Sequence, residues 1–94
     1  MVVYRITAGD YTYIGMTTRD LAIRINEHNY RLKDPAAHQQ YSRTRFYRKL
    51  RELGVDKITE DNCQEVCEGG RLEEQLEIDK IPVDYSLNSA RSVR

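Results

Sequence analysis

Two side chains suited to phosphate chemistry stand four residues apart in this sequence. On a helix, Arg24 and His28 lie one turn apart and point to the same place. The planar guanidinium of an arginine matches a phosphate, and a histidine with a pKa of about 6.5 suits proton transfer. Together the pair indicates phosphate binding with acid–base chemistry. Taken singly, Arg24 also fits a surface ion pair, and His28 a hydrogen-bonded core residue.

The elements that would position this pair can be read from the pattern of residue types. Residues 2–7 and 11–17 are rich in β-branched and aromatic side chains and flank a turn signal at 8–10, which predicts a β-hairpin. Helices are predicted over about 20–32, 42–53 and 71–80, with a third strand over 62–68. The order β-β-α-α-β-α predicts an α+β fold, a small three-stranded antiparallel sheet flanked by helices, as one domain over residues 1–94.

The apolar faces of these helices indicate which side chains turn inward. His28 falls within the apolar stripe of the first helix, and the stripe of the second helix includes Leu50 and Leu53. The last helix has two apolar faces, and Glu74 lies one turn before Ile78 on one of them. Carboxylates are rarely aligned with apolar stripes. Glu74 is therefore a candidate functional residue, although by composition it also fits an ordinary solvated helix position.

The 15 basic and 15 acidic side chains cancel, but they are segregated along the chain. Residues 19–51 carry nine Lys or Arg against three acids, and residues 52–84 carry three against eleven. A net charge of zero would argue against a nucleic-acid partner if the charges were mixed. Because they are not, the basic segment remains able to bind phosphates over a Debye length of about 8–10 Å.

The two cysteines and the hydropathy pattern indicate the environment of the protein. Cys63 and Cys67 have no second pair with which to form a zinc site, and in a strand they would lie about 13 Å apart, too far for a disulfide. No apolar run approaches the ~20 residues that span a bilayer, and no signal-peptide pattern opens the chain. We expect two reduced thiols in a cytoplasmic protein without a membrane partner.

The opening hairpin makes the pattern specific. Tyr4 ends the run VVY on the first strand, Tyr13 begins the run YIG on the second, and Arg24 and His28 follow on a helix. This arrangement resembles the GIY-YIG nuclease family over nearly the whole chain. Val2 stands where the first family motif has a glycine, which we interpret as a backbone preference and not as a catalytic group.

The resemblance implies a metal-dependent DNA endonuclease on the GIY-YIG fold. Its catalytic residues would be Tyr4, Tyr13, Arg24, His28 and Glu74. In that family a carboxylate on a later helix binds one divalent cation, which here implies Mg²⁺ or Mn²⁺ at Glu74, with the adjacent Glu73 as the alternative ligand. Asn88 matches a supporting asparagine near the end of the family domain.

Each implied role is chemically reasonable for phosphodiester hydrolysis. Arg24 would hold the phosphate as charge builds up on its oxygens. Tyr4 would take a proton from the attacking water, with a pKa lowered by nearby positive charge, while Tyr13 orients the water or the phosphate. His28 would share the proton transfer.

The second predicted helix carries most of the basic segment. Its basic side chains would follow the DNA backbone, positioning the substrate without reading sequence, and they are Arg43, Arg45, Arg48, Lys49 and Arg51. Tyr41 and Tyr47 are interleaved with them. The alternative is a solvated helix face.

The chain has no room for a separate DNA-binding domain. We therefore expect low sequence specificity, recognition of DNA structure, or a homo-oligomer or partner protein that supplies specificity. Two other hypotheses stay open at this point. One is a non-catalytic module that binds nucleic acid or protein on the same fold, and the other is an interaction protein whose acidic residues 52–84 contact a basic partner.

Overall fold

The N-terminal hairpin supplies two of the three strands of the sheet. In a computed structural model that describes residues 1–33 and 45–88, β1 (Val2–Ala8) pairs antiparallel with β2 (Tyr11–Thr17). Gly9 has a φ of 60° in the turn between them, a left-handed conformation that costs glycine little. β3 (Cys63–Glu68) pairs antiparallel with the other edge of β1, so the strand order is β2-β1-β3.

Three helices accompany the sheet in the described ranges. They are α1 (Leu21–Lys33), α2 (Arg45–Glu52) and α3 (Arg71–Asp79), followed by a 3-10 turn at Val83–Tyr85. The predicted α+β class and the three-stranded antiparallel sheet are confirmed. The predicted start of the second helix, residues 42–44, lies outside the described residues.

The core forms where α1 and α2 cover the central strand. Ile6 of β1, Leu50 of α2 and Ile58 are among its fully buried members, and the predicted inward stripe of α1 is buried at Ile25, His28 and Leu32. Shielding of this apolar surface from water is the main favourable term in folding.

One residue of the predicted apolar stripe of α2 is not buried. Leu53 is exposed, because α2 ends at Glu52 and the chain turns away at Gly54, whose φ is 77°. Tyr47, interpreted from the sequence as one of the side chains along the DNA-binding face, is buried in the core instead.

α3 packs on β2 at the edge of the sheet. None of its residues is buried. The face that carries Glu74 and Ile78 is half-buried, as its alignment with an apolar stripe predicts. The other predicted apolar face, Leu72 and Leu76, is 67% and 53% exposed, so it is not part of the core.

Both cysteines are free, as predicted. Cys63 is buried and Cys67 is partly buried. Burial raises the pKa of Cys63 to about 11, so its thiol stays protonated and unreactive at neutral pH.

Candidate functional site

The hydroxyl of Tyr4 is the centre of a polar cluster under α1. Arg24 donates from Nε to the Tyr4 oxygen at 3.2 Å, and His28 Nε2 lies 2.8 Å from the same oxygen. β1 supplies the tyrosine, and the one-turn spacing of α1 supplies both partners, as the sequence predicts. Tyr4 itself is 0% exposed.

Tyr47 completes the cluster on the far side of His28. Its hydroxyl lies 2.7 Å from His28 Nδ1, so both ring nitrogens have a phenol partner. Burial, reinforced by the charges of Arg24 and Arg31, lowers the pKa of His28 to about 3. The imidazole is therefore neutral at pH 7, with one donor and one acceptor nitrogen. One phenol donates to the ring and the other accepts from it.

The expectation that His28 titrates at about 6.5 is therefore wrong. The sequence showed a histidine on an apolar stripe, but it did not show that the ring would be enclosed on every side. Desolvation of a buried imidazole penalises its charged form.

The glycine of the YIG run is explained by the position of the Tyr4 ring. Gly15 is the partner of Tyr4 across the β1–β2 ladder. A Cβ atom at Gly15 would lie 2.5 Å from the Tyr4 hydroxyl oxygen and 2.6 Å from its Cζ atom. Since real Cβ atoms do not approach so closely, only glycine leaves room for Tyr4 where it contacts Arg24 and His28.

Tyr13 lies beside this cluster and is partly exposed. Its ring stacks on Phe46 of α2, with centroids 4.1 Å apart and an interplanar angle of 20°. The ring of Tyr4 is 6.3 Å away, centroid to centroid. The two motif tyrosines are thus neighbours, one enclosed and one partly exposed.

Burial raises the pKa values of both tyrosines, whereas the charge of Arg24 opposes the rise. The charge of Arg24 acts to lower the pKa of Tyr4, as predicted, but desolvation by burial outweighs it. Both phenols are protonated at neutral pH.

Glu74 is near the outward-facing end of the cluster. Its carboxylate is close enough to Tyr13 to contribute to the raised pKa of that phenol. The pKa of Glu74 is itself raised by partial burial, against the opposing charge of Arg71. A half-buried carboxylate that has lost part of its hydration gains more from a cation than a solvated one does.

The neighbouring Glu73 has a structural function. Its Oε1 accepts a hydrogen bond from the Gly70 N–H at 2.7 Å and so caps the first turn of α3. Of the two candidate metal ligands, Glu74 is thus the one whose carboxylate interacts electrostatically with Tyr13.

The donor set at Glu74 suits a cation that keeps most of its waters. No group of three or more His, Cys, Asp or Glu side chains in residues 1–33 and 45–88 forms a metal cage. Mg²⁺ commonly binds through one or two carboxylates together with substrate phosphates and water. A single partly desolvated carboxylate fits that mode and does not fit a structural zinc site.

Asn88 holds β2 from the other end of the chain. Its Nδ2 donates to the Ile14 carbonyl at 2.8 Å, and its Oδ1 accepts from the Ile14 N–H at 3.2 Å. Since Ile14 lies between Tyr13 and Gly15, this double contact fixes the backbone of the YIG run. Asn88 is thus placed to support the site without facing a substrate.

The predicted DNA-binding residues separate into different environments. Arg43 lies outside the described residues. Arg45 donates to the backbone carbonyls of Ser86 and Asp84, at 2.8 and 3.3 Å, and thereby anchors the C-terminal segment.

The remaining basic residues of α2 differ in exposure. Lys49 lies over the Tyr11 ring, 4.4 Å from its centroid, and also pairs with Glu52. Arg48 and Arg51 are exposed. The described part of the predicted basic surface is therefore smaller than the sequence indicated.

Two residues that sequence reasoning did not assign to the site contact its members. Tyr47 is the partner of His28, and Glu27 forms an ion pair with Arg24 at 3.3 Å. Tyr47 stands three residues before the buried Leu50, so the helical period could have identified it as inward-facing. Glu27 follows Arg24 by three residues, a spacing that allows an ion pair.

Comparison with protein-family models, curated proteins and solved structures finds no match to this chain. The helices of residues 1–33 and 45–88 include none with the length and hydropathy of a membrane span.

Proposed function

We propose that this protein is a divalent-metal-dependent DNA endonuclease of low or partner-directed sequence specificity. The observation that supports this most strongly is the hydrogen-bonded cluster of Tyr4, Arg24 and His28, with Tyr13 and Glu74 beside it. These residues come from β1, β2, α1 and α3. Together they supply a cation that can bind phosphate, two phenols and a carboxylate, which are groups suited to phosphodiester hydrolysis.

Arg24 binds the scissile phosphate in this mechanism. Burial alone would lower its pKa, but the oxygens of Tyr4, Glu27 and Tyr13 outweigh that effect, so the guanidinium stays charged. A guanidinium has five N–H donors, and the contacts to Tyr4 and Glu27 use two of them. The charge of Arg24 stabilises the oxygens of the phosphate as the water attacks.

Tyr13 faces the water, and Tyr4 and His28 lie behind it. Because Tyr4 is not exposed, the partly exposed Tyr13 is the phenol that reaches solvent. Since both phenols are protonated and His28 is neutral, Tyr13 orients the attacking water by hydrogen bonding, and the water proton leaves to bulk solvent. His28, held between the Tyr4 and Tyr47 hydroxyls, fixes the direction of the Tyr4 hydroxyl behind Tyr13.

Glu74 holds the metal in this proposal. A Mg²⁺ or Mn²⁺ ion bound there supplies charge stabilisation to the phosphate and to the leaving 3′-oxygen. The contribution of this chain is a partly desolvated carboxylate that interacts electrostatically with Tyr13.

A plasmid assay tests the activity. Supercoiled DNA is incubated with the purified protein in Mg²⁺ or Mn²⁺, and nicked product is measured on a gel. We expect metal-dependent nicking by the wild type and none by Arg24→Ala, with circular dichroism showing that the variant is folded. No nicking in either metal at any protein concentration would overturn the proposal.

The complete burial of Tyr4 favours one alternative, a non-catalytic module that binds nucleic acid or protein. In that case the Tyr4–His28–Tyr47 cluster is a satisfied polar core, and exposed arginines such as Arg48 make the contacts. Salt-sensitive DNA binding that is unchanged in Glu74→Ala, without cleavage, would favour this alternative.

A further inference from the structure

A cavity of about 310 Å³ opens beside the Tyr4 cluster. It is lined by Met1, Met16, Thr17, Thr18, Arg19, Arg24 and Glu27. Arg24 both forms part of its wall and donates to the Tyr4 hydroxyl. The cavity is therefore adjacent to the position proposed for the scissile phosphate, and its volume is at the lower end for small-ligand sites.

A single carboxylate bridges two arginines in this cavity. Arg19 Nη1 lies 3.3 Å from Glu27 Oε2, and Arg24 Nη1 lies 3.3 Å from Glu27 Oε1. Two cations facing one anion leave a net positive charge. A carboxylate between two guanidinium groups also resembles, in charge and geometry, a bound phosphate.

Both ion pairs are weak enough to be exchanged. The Arg19 side chain is 62% exposed and that of Glu27 is 32% exposed, and ion pairs in contact with solvent contribute little to stability. A phosphate that enters the cavity can replace the Glu27 carboxylate at little cost. Arg19 is held at its backbone by a hydrogen bond from its N–H to Thr17 Oγ1 at 3.1 Å.

The remaining walls suit the uncharged parts of a nucleotide. Met1 and Met16 offer flexible apolar surface for a sugar and a base, and Thr18 adds a hydroxyl. A cavity that is cationic on one side and apolar on the other fits a sugar–phosphate unit better than a purely charged ligand.

We propose that this cavity is a subsite for the nucleotide next to the scissile bond, with Arg19 binding the adjacent phosphate in place of Glu27. The inference rests on the proposed function, because it places the scissile phosphate at Arg24. In this arrangement Glu27 competes with any bound phosphate. A nucleotide also contacts the apolar walls at Met1 and Met16, so the subsite binds a nucleotide better than it binds an isolated phosphate.

The methionines provide a direct test, because both methionines of the chain line this cavity. The protein is labelled with ¹³C at the methionine methyl groups and titrated, without metal, with thymidine 3′,5′-bisphosphate, with inorganic phosphate and with thymidine. We expect the bisphosphate to shift both methyl signals in a saturable manner and to bind at least several-fold more tightly than either fragment.

Three variants identify the binding groups. Arg19→Ala should weaken bisphosphate binding by about 10-fold, corresponding to the loss of one charge-assisted contact. Glu27→Gln should tighten it several-fold, since the competing charge is removed while the shape is kept. The control Lys57→Ala, which removes an exposed charge at a different cavity, should leave binding unchanged.

Several results would overturn this subsite. They are methyl signals that do not move, equal affinities for inorganic phosphate and the bisphosphate, or weaker binding in Glu27→Gln. Since the titration measures binding without cleavage, a protein that binds the bisphosphate in this way but never nicks DNA would refute the nuclease proposal and leave the subsite standing.

Discussion

Tyr4 and His28 are enclosed by β1, α1 and α2, whereas Glu74 lies on α3, in which no residue is buried. The first region of the proposed site is thus part of the hydrophobic core, and every polar atom of the His28 ring has a partner. The second region is a surface helix packed on the edge strand β2. In the first region the same contacts therefore determine both stability and the proposed chemistry. In the second region a substitution can change the proposed chemistry without changing stability.

Changing two neighbouring glutamates on α3 tests most directly whether stability and activity are separable there. Glu74→Ala should lower the nicking rate by ~100-fold or more, because a charged group at the reacting phosphate is lost. Its unfolding free energy should stay within about 0.5 kcal/mol of the wild type. Plasmid nicking and chemical denaturation measure the two quantities.

Glu73→Ala is the matched control for this experiment. It removes the cap on the Gly70 N–H and should cost ~1 kcal/mol of stability while most of the activity is retained. If Glu73→Ala abolished cleavage and Glu74→Ala did not, the assignment of the metal ligand would be reversed.

Acid should destabilise the buried region through His28. Its pKa is about 3 in the folded protein against 6.5 for an ordinary histidine, so below pH 6.5 the unfolded chain binds a proton that the folded chain does not. The stability present above pH 6.5 is therefore lost progressively as the pH falls toward 3. Between pH 6.5 and about 4 the loss from this group should be ~3 kcal/mol.

Denaturation curves of wild type and His28→Gln at several pH values isolate this effect. The variant, which has no imidazole at this position, should show a slope of stability against pH that is smaller by about 1.4 kcal/mol per unit in this window. Equal slopes of stability against pH for the two proteins would show that His28 is not held neutral by burial.

Gly15→Ala should disturb the buried Tyr4 cluster through a steric clash. The new methyl group would meet the Tyr4 hydroxyl at 2.5 Å, and the Tyr4 ring is enclosed, so we expect a loss of ~2 kcal/mol together with most of the activity. At Gly54 an added Cβ meets nothing, so Gly54→Ala should cost only backbone strain, about 1 kcal/mol, without lowering activity. Equal effects of the two substitutions would contradict the close-packing argument.

The smallest effect is expected at Tyr47, which positions His28 and does not touch the substrate. Tyr47→Phe should cost ~1 kcal/mol of stability through the lost hydrogen bond. It should lower kcat by about 10-fold with KM unchanged, since the tautomer of His28 is no longer fixed. Tyr11→Phe changes a tyrosine outside the Tyr4–His28 cluster and should alter neither stability nor kcat. A fall in kcat in Tyr11→Phe as well would indicate a general loss of packing.

The sequence predicted local structure well where one pattern dominated. The hairpin followed from β-branched strands around a glycine turn, and the apolar stripe of α1 correctly placed His28 inward. The hairpin and the apolar stripe depend on residues close in sequence and on the two-residue and 3.6-residue periods. The contact of Tyr4 with Arg24 and His28 joins separate elements and was expected only from the motif resemblance.

The properties that the sequence did not predict depend on contacts between distant elements. The pKa values of Tyr4 and His28 were misjudged because their burial requires α1 and α2 to close over β1. The structural use of Arg45 depends on the C-terminal segment, whose backbone it binds forty-one residues later. No local pattern encodes such enclosure.

The most direct test of the central claim, that the buried cluster and the carboxylate of α3 form one site, is a crystal structure with Mn²⁺. Anomalous scattering would locate the ion independently of any assay. We predict a peak bound to the Glu74 carboxylate, on the side that faces Tyr13 and Arg24. A Mn²⁺ ion bound only elsewhere, or a Glu74 side chain that points into solvent away from Tyr13, would contradict the account.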